Sequence, residues 1–288
     1  MLGLSYLNLT KLTIMLIGCH VSIAGGVFNA PERAAALGAQ AMQIFTRSPQ
    51  GGKAPELTPE ICEQFQISNF KFQIKEVVVH TPYYINFAST NSRIKYGSIS
   101  VLRDELERAS LLGAKYVMTH LGSAGELSQQ EANAATIEAL KKSLDGYTGS
   151  TELLIENAAG AGKIMGSTFA QIAEIIQAVN HTKLVGICLD TQHSFASGYD
   201  WRDFKNTLKK IDTEIGLDKI KLIHANDSKT ELASNKDRHE HIGQGLIGRN
   251  AFKNIVAFAQ AKDISMILET EHEAVKEDIE LLKKFRDS

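Results

Sequence analysis

Apolar and polar positions along the chain alternate between two regimes. Short runs, rich in β-branched residues and nearly continuous in apolar side chains, recur at Ile17–Ile23, Ala41–Thr46, Val77–His80, Tyr116–His120, Glu152–Glu156, Val185–Asp190, Ile220–Asn226 and Ser265–Glu269. Runs of this kind predict parallel strands covered on both faces. Between them the period lengthens. Phe169, Ile172, Ala173, Ile176 and Val179 form a helical stripe, as do Trp201, Phe204, Leu208 and Ile211, then Phe252, Ile255, Val256 and Ala259. Start signals agree: Ser128-Gln-Gln-Glu131 is a capping box, Thr58-Pro59 places a cap before a first-turn proline, and Asp200 caps the next helix. No proline follows Pro82, and no Ser/Gly-rich linker marks a domain break. Successive βα units with right-handed crossovers predict an α/β fold, a single-domain (β/α)8 TIM barrel, with a doubly wound open sheet as the alternative. The longest irregular stretch, 227–248, follows the seventh strand, where a barrel carries active-site loops.

Composition narrows the class. The 288 residues are 43% hydrophobic and 22% charged, an ordinary globular balance. A net charge of −2 carries no basic field for nucleic acid, although bound cations would change the local sign. Cys19, Cys62 and Cys188 are too few and too far apart for a disulfide framework and fit a reducing compartment, so the cytoplasm is the expected location. No apolar run is long enough to cross a bilayer. Residues 1–14 lack a cleavable leader's pattern and read as a poorly ordered extension, with Met15 as an alternative start and 15–288 as the barrel. Nothing calls for more than a monomer.

The chemistry lies at strand ends, where a barrel places its catalytic groups. The third to eighth strands end at His80, His120, Glu156, Asp190, His224 and Glu269. A lone residue of this type usually caps a helix. A set of six aimed at one mouth would suffer carboxylate repulsion unless cations stood between them. His193 follows Asp190 by three residues in a turn, and Asp237 and His239 alternate so that extended backbone sets both on one side. Nitrogen and oxygen donors without thiolate suit Zn²⁺, with Mn²⁺ or Fe²⁺ as alternatives. The set is too large for one tetrahedral ion and predicts two or three. Clustered divalent ions acidify water and neutralise phosphate oxygens in phosphodiester hydrolysis. Three of them would add +6 to the formal −2 and make the mouth cationic.

Other features have plainer readings. Gly160-Ala-Gly-Lys163 lacks the glycine and Ser/Thr of a phosphate loop, at Asn157 and Ile164. His20 reads as a core histidine rather than a group orienting the site, and His181, His241 and His272 as surface residues. Cys188 reads as a small core residue.

At these residues the sequence resembles the endonuclease IV family of apurinic/apyrimidinic endonucleases. The resemblance rests on Gly18-Cys-His-Val-Ser-Ile-Ala-Gly-Gly26, Val79-His-Thr-Pro-Tyr83, Thr119-His-Leu-Gly122, Ile155-Glu-Asn-Ala-Ala-Gly160, Cys188-Leu-Asp-Thr-Gln-His193, His224-Ala-Asn-Asp-Ser-Lys229, Asp237-Arg-His239 and Ile267-Leu-Glu-Thr270. It implies a trinuclear zinc barrel that cleaves duplex DNA on the 5′ side of an abasic site and leaves a 3′-hydroxyl, with 3′-end cleaning as an associated activity. By match, His80, His120 and Glu156 hold the first zinc. Glu156 bridges to a second held by Asp190, His224 and Glu269, and His193, Asp237 and His239 hold the third. Glu156 and Glu269 are the catalytic carboxylates. Tyr83 and Tyr84 occupy the wedge that fills the gap left by a flipped nucleotide. Arg47, Lys229 and Arg238 are expected to touch DNA, although the loop 47–53 lacks the family's usual aromatic and Gln192 stands where a Cys is common. The competing reading is a metal-dependent sugar isomerase or epimerase of the xylose-isomerase-like barrels, which needs only Glu156, Asp190, His224 and Glu269 and one or two ions. A non-catalytic DNA-binding module fits poorly, because carboxylates in its mouth would repel phosphate.

Overall fold

A computed structural model describes residues 15–288 of the chain. The 1–14 extension lies outside the described residues.

Eight parallel strands close into a barrel: β1 (Ile17–His20), β2 (Ala41–Ile44), β3 (Glu76–His80), β4 (Tyr116–Thr119), β5 (Glu152–Glu156), β6 (Leu184–Asp190), β7 (Ile220–His224) and β10 (Ser265–Leu268). Each pairs with its neighbours in chain order and β10 closes on β1, with Ile17 opposite Met266 and Gly18 opposite Ile267. The (β/α)8 reading holds and the open sheet does not. Around the barrel run α1 (Ala30–Ala36), α2 (Pro59–Phe72), α3 (Ser92–Leu111), α4 (Gln129–Leu144), α5 (Phe169–Val179), α6 (Thr191–Ala196), α7 (Phe204–Glu214), α8 (Arg249–Lys262) and α9 (Val275–Arg286). The expected caps form: Thr58 Oγ1 accepts from Ile61 N, and Ser128 and Glu131 complete a capping box. Asp200 caps a single 3-10 turn, Trp201–Asp203, ahead of α7.

Several strand ends fall short of the sequence reading. β1 stops at His20 rather than running to Ile23, β2 at Ile44 rather than Thr46, and β7 at His224 rather than Asn226, while β4 and β10 stop one residue early. Asp227–Ser228 (β8) turns out of the barrel and pairs antiparallel with His239–Glu240 (β9). The cause is the Asp227 carboxylate, which is fully buried and accepts from the backbone N–H groups of Ser228, Gly243, Gly245, Ile247 and Gly248. That gathers the return of the loop around one side chain. At Gly245 a Cβ would stand 2.5 Å from Ser228 O and 2.6 Å from Asp227 Oδ1, so only glycine fits.

The core has two parts. Outward strand residues such as Ile17, Met42, Val79, Ile155 and Leu189 join helix residues such as Leu102, Phe169 and Phe252 in the larger one. Inside the barrel a smaller cluster comprises Ala41, Val78, Tyr116, Met118, Leu154, Cys188, Leu222 and Ile267. Because strand side chains alternate, the residue two positions beyond each interior residue also faces inward, one step nearer the carboxyl-end mouth.

Candidate metal centre

That step is where the chemistry begins. Ala41 is followed by Gln43, Val78 by His80, Met118 by His120, Leu154 by Glu156, Cys188 by Asp190, Leu222 by His224 and Ile267 by Glu269. His20 stands in the matching place on β1. Of these, His20, His80, His120 and Glu269 line a cavity of about 420 Å³ together with Tyr83, His193, Asp237, His239, Thr270 and His272. A larger cavity of about 680 Å³ sits at the opposite end of the barrel between α5 and α7. Among the described residues, every group able to hold a metal lies at the mouth.

Three such groups occur: His80, His120 and Glu156; Asp190, His193 and His239; and Glu156, Asp190, His224 and Glu269. Within each, one donor atom per residue lies within 4.8 Å of the others. Glu156 belongs to two of them and so does Asp190, so the groups form one overlapping cluster. Glu156 Oε2 is 3.0 Å from His80 Nε2 and 3.4 Å from His120 Nε2, while its Oε1 is 2.9 Å from His224 Nδ1. Asp237 joins from the loop, with Oδ2 3.3 Å from His193 Nε2 and Oδ1 3.3 Å from His239 Nε2.

The surroundings fix the rings. His80 Nδ1 donates to the Thr81 carbonyl at 2.6 Å, and His193 Nδ1 donates to the Asn157 carbonyl at 3.0 Å. Each bond leaves the opposite nitrogen bare toward the centre, as metal-binding histidines require. Asp190 caps α6, its Oδ1 accepting from His193 N at 2.7 Å, and its Oδ2 accepts from Asn226 Nδ2 at 2.7 Å. This cap turns the three-residue spacing into convergence: the expected turn is the first turn of a helix. Asn226 also reaches Glu269, whose N–H donates to Asn226 Oδ1 at 2.9 Å.

Without cations the electrostatics are tense. Burial disfavours charge on Glu156, yet His120 and His224 outweigh it and hold the carboxyl well below its usual range. Burial raises Asp190. Burial pushes His120 down to about 4, whereas for His193 the charges of Asp190, Asp237 and Glu156 overcome burial and lift it to about 10. Against the cost of burial, the hydrogen bond and charge of His193 draw Asp237 down to about 2. His120 Nδ1 and His239 Nε2 are buried without a hydrogen-bond partner. Bare imidazole nitrogens, crowded carboxylates and the absence of thiolate among the donors all fit divalent cations.

The remaining expected residues divide. Tyr83, 69% exposed, stands at the rim with its ring 5.3 Å from that of Phe45, and Tyr84 is exposed beside it. Arg238 is exposed, and Lys229 is exposed with Nζ 2.8 Å from Glu271. Arg47 is a correction: expected on the DNA face, it is buried, with Nε on Glu105 and Nη2 on Asp104 of α3, so its charge is already paired within the protein. His20 is a second correction. It is half-buried at the mouth, Nδ1 against Gln43 Nε2 at 3.0 Å, rather than in the core. His241 is half-buried and hydrogen-bonded to Asp278 at 2.8 Å rather than free on the surface. Cys188 is buried in the barrel interior as expected, and burial pushes its thiol up to about 12. The sequence reading missed Gln43 and Asn157, which contact the centre. The i+2 step beyond the apolar residue of each strand would have found Gln43.

A family profile described as xylose isomerase-like TIM barrel matches residues 31–285. A probable endonuclease 4 of Halothermothrix orenii is 38% identical over 276 residues, which are 94% of this chain and 99% of that protein. The crystal structure of endonuclease IV from Thermus thermophilus superposes with a TM-score of 0.81 at 35% identity, covering 94% of this chain and 98% of that one. A D-tagatose 3-epimerase-like protein, with a TM-score of 0.73 at 22% identity over 95% of this chain and 97% of its own, shares the fold alone. The chain therefore belongs to the endonuclease IV family.

Proposed function

We infer that the chain is a metal-dependent DNA-repair endonuclease that hydrolyses the phosphodiester bond 5′ to an abasic site in duplex DNA and leaves a 3′-hydroxyl, with 3′-end cleaning as the same chemistry on a blocked terminus. The observation that carries this reading is the sharing of Glu156 and Asp190 among the three donor groups. A sugar isomerase needs only the Glu156–Asp190–His224–Glu269 quartet. Its neighbours would then be surplus, yet they use the same carboxylates.

In this reading His80, His120 and Glu156 would hold one zinc, Glu156, Asp190, His224 and Glu269 a second, and His193, Asp237 and His239, with Asp190 beside them, a third. Bound there, the ions supply Lewis acidity, acidified water and neutralisation of phosphate charge. The protein's own groups do the rest. Glu156 at the end of β5 and Glu269 just beyond β10 are the proposed catalytic carboxylates, one buried among the imidazoles and the other lining the cavity. The Thr81 and Asn157 carbonyls keep His80 and His193 in the tautomers that face it. Tyr83 and Tyr84 present aromatic faces at the rim, suited to fill the stack that an extruded nucleotide leaves. Arg238 and Lys229, both exposed on the 227–248 loop, are the cations offered to the phosphate backbone, Lys229 by exchanging its Glu271 partner.

Elemental analysis beside a nicking assay on a duplex with a single abasic site tests this directly. The expected outcome is about three divalent ions per chain and incision that prolonged chelation abolishes. Full incision by the chelated protein, or a single ion per chain with no incision, would overturn the reading.

A further inference from the structure

Among the imidazoles and carboxylates that the strands bring to the mouth, β2 delivers an amide. Gln43 is fully buried and touches three neighbours. Its Oε1 lies 2.7 Å from His224 Nε2, and its Nε2 lies 2.5 Å from Glu269 Oε1 and 3.0 Å from His20 Nδ1. One side chain thus ties together β1, β2, β7 and the end of β10.

Proton placement follows from chemistry. The other edge of the His224 ring faces the centre, with Nδ1 2.9 Å from Glu156 Oε1 and 3.2 Å from Glu269 Oε2. A ring nitrogen that binds a cation carries no proton, so the hydrogen belongs on Nε2 and needs an acceptor. The amide oxygen of Gln43 supplies it. The two amide hydrogens then point at Glu269 and His20, and His20 keeps its own proton on Nε2. The reverse amide orientation would set NH₂ against the N–H of His224 and oxygen against the Glu269 carboxylate, leaving both contacts repulsive. His80 and His193 obtain the same service from backbone carbonyls, which any sequence provides. For His224 it depends on the residue at position 43.

We propose that Gln43 is a positioning residue of the metal centre, holding His224 in the tautomer whose bare Nδ1 faces Glu156 and Glu269 and pinning the Glu269 carboxylate beside it. The inference rests on the metal-centre reading given above. Its role is selective: the Glu156–Asp190–His224–Glu269 group depends on Gln43, whereas His80 and His193 do not.

Two variants and one measurement on the unaltered protein test it. Gln43→Leu removes the acceptor and both donors at similar volume, and Gln43→Glu keeps an acceptor but sets a carboxylate against Glu269. Metal-loaded wild type and variants are challenged with a chelator, and ion release is followed by elemental analysis. Both variants are expected to release one class of ion roughly 10–100-fold faster while the rest leave at the wild-type rate. Unchanged release, or equal acceleration of every ion, would overturn the proposal. Long-range ¹H–¹⁵N correlation of the His224 ring in the loaded wild type needs no variant. A proton on Nε2 is expected, and a proton on Nδ1 would overturn the proposal. A wild-type chain that holds no metal would sink the proposed function and this inference together. A metal-holding wild type whose variants keep their ions would sink only the role of Gln43.

Discussion

Leu154 and Glu156 are two residues apart on one strand, point the same way and obey opposite rules. Leu154 belongs to the apolar interior with Val78, Met118 and Ile267, and contributes by filling space. Glu156, equally buried, sits among four imidazoles and contributes through charge. The pair teaches that a barrel interior is layered by function along its axis. The lower part sustains the closure, and the upper part carries groups whose mutual repulsion is tolerable only with cations or protons between them. Each strand crosses that boundary in a single alternation step.

The comparison can be broken at either layer. Glu156→Ala removes the carboxylate shared by two metal groups, and incision of an abasic duplex is expected to fall by at least about 10²–10³-fold, the scale of losing one charge-stabilising group. A steady-state nicking assay measures it, and the far-UV circular dichroism should stay native. Leu154→Ala should do the reverse. It is expected to cost about 2–5 kcal/mol of stability by chemical denaturation, with incision per folded molecule nearly preserved. If the two substitutions gave the same phenotype, the layering would be wrong.

Acidity sharpens the upper layer. Burial opposes charge on His193, but Asp190, Asp237 and Glu156 prevail and raise it from 6.5 to about 10 in the metal-free protein. A group raised on folding contributes stability fully present below its unfolded value and lost as pH rises through the folded one. The chelated protein should therefore lose thermal stability between about pH 6.5 and 10. The metal-loaded protein should show little of this slope, because cations take the place of the proton. Thermal melts of both forms across that window decide the matter, and parallel curves would argue against cations at His193. The smallest effect belongs to the rim: Arg238→Ala should weaken binding of abasic duplex modestly and reduce the slope of log affinity against log salt by about 1. Titrations at several salt concentrations measure it.

Much of the fold was legible. The strand runs, the helical stripe of α5 and the capping box of α4 lie in local pattern, and local pattern is what propensity and burial act on. The convergence of the six strand-end donors was legible for the same reason, since a side chain's direction follows from its place in the alternation. What stayed hidden depends on distant partners. Arg47 reads as an exposed loop cation until α3 brings Asp104 and Glu105 against it, 57 and 58 residues along the chain. Gln43 reads as one polar residue in an apolar strand until β7 and β10 set His224 and Glu269 on either side. The loop 227–248 reads as irregular, and the buried Asp227 carboxylate, gathering five backbone N–H groups, gives it shape.

The order of elements, the inward face of each strand and the kinds of donor atom at its end were thus properties of the chain itself, because they follow from periods of two and 3.6 residues. Which donors share an ion, which charges neutralise each other and which amide sets a ring's proton were decided only when the barrel closed. Those outcomes depend on separations of a few ångströms between residues tens to hundreds of positions apart, and no local period encodes them.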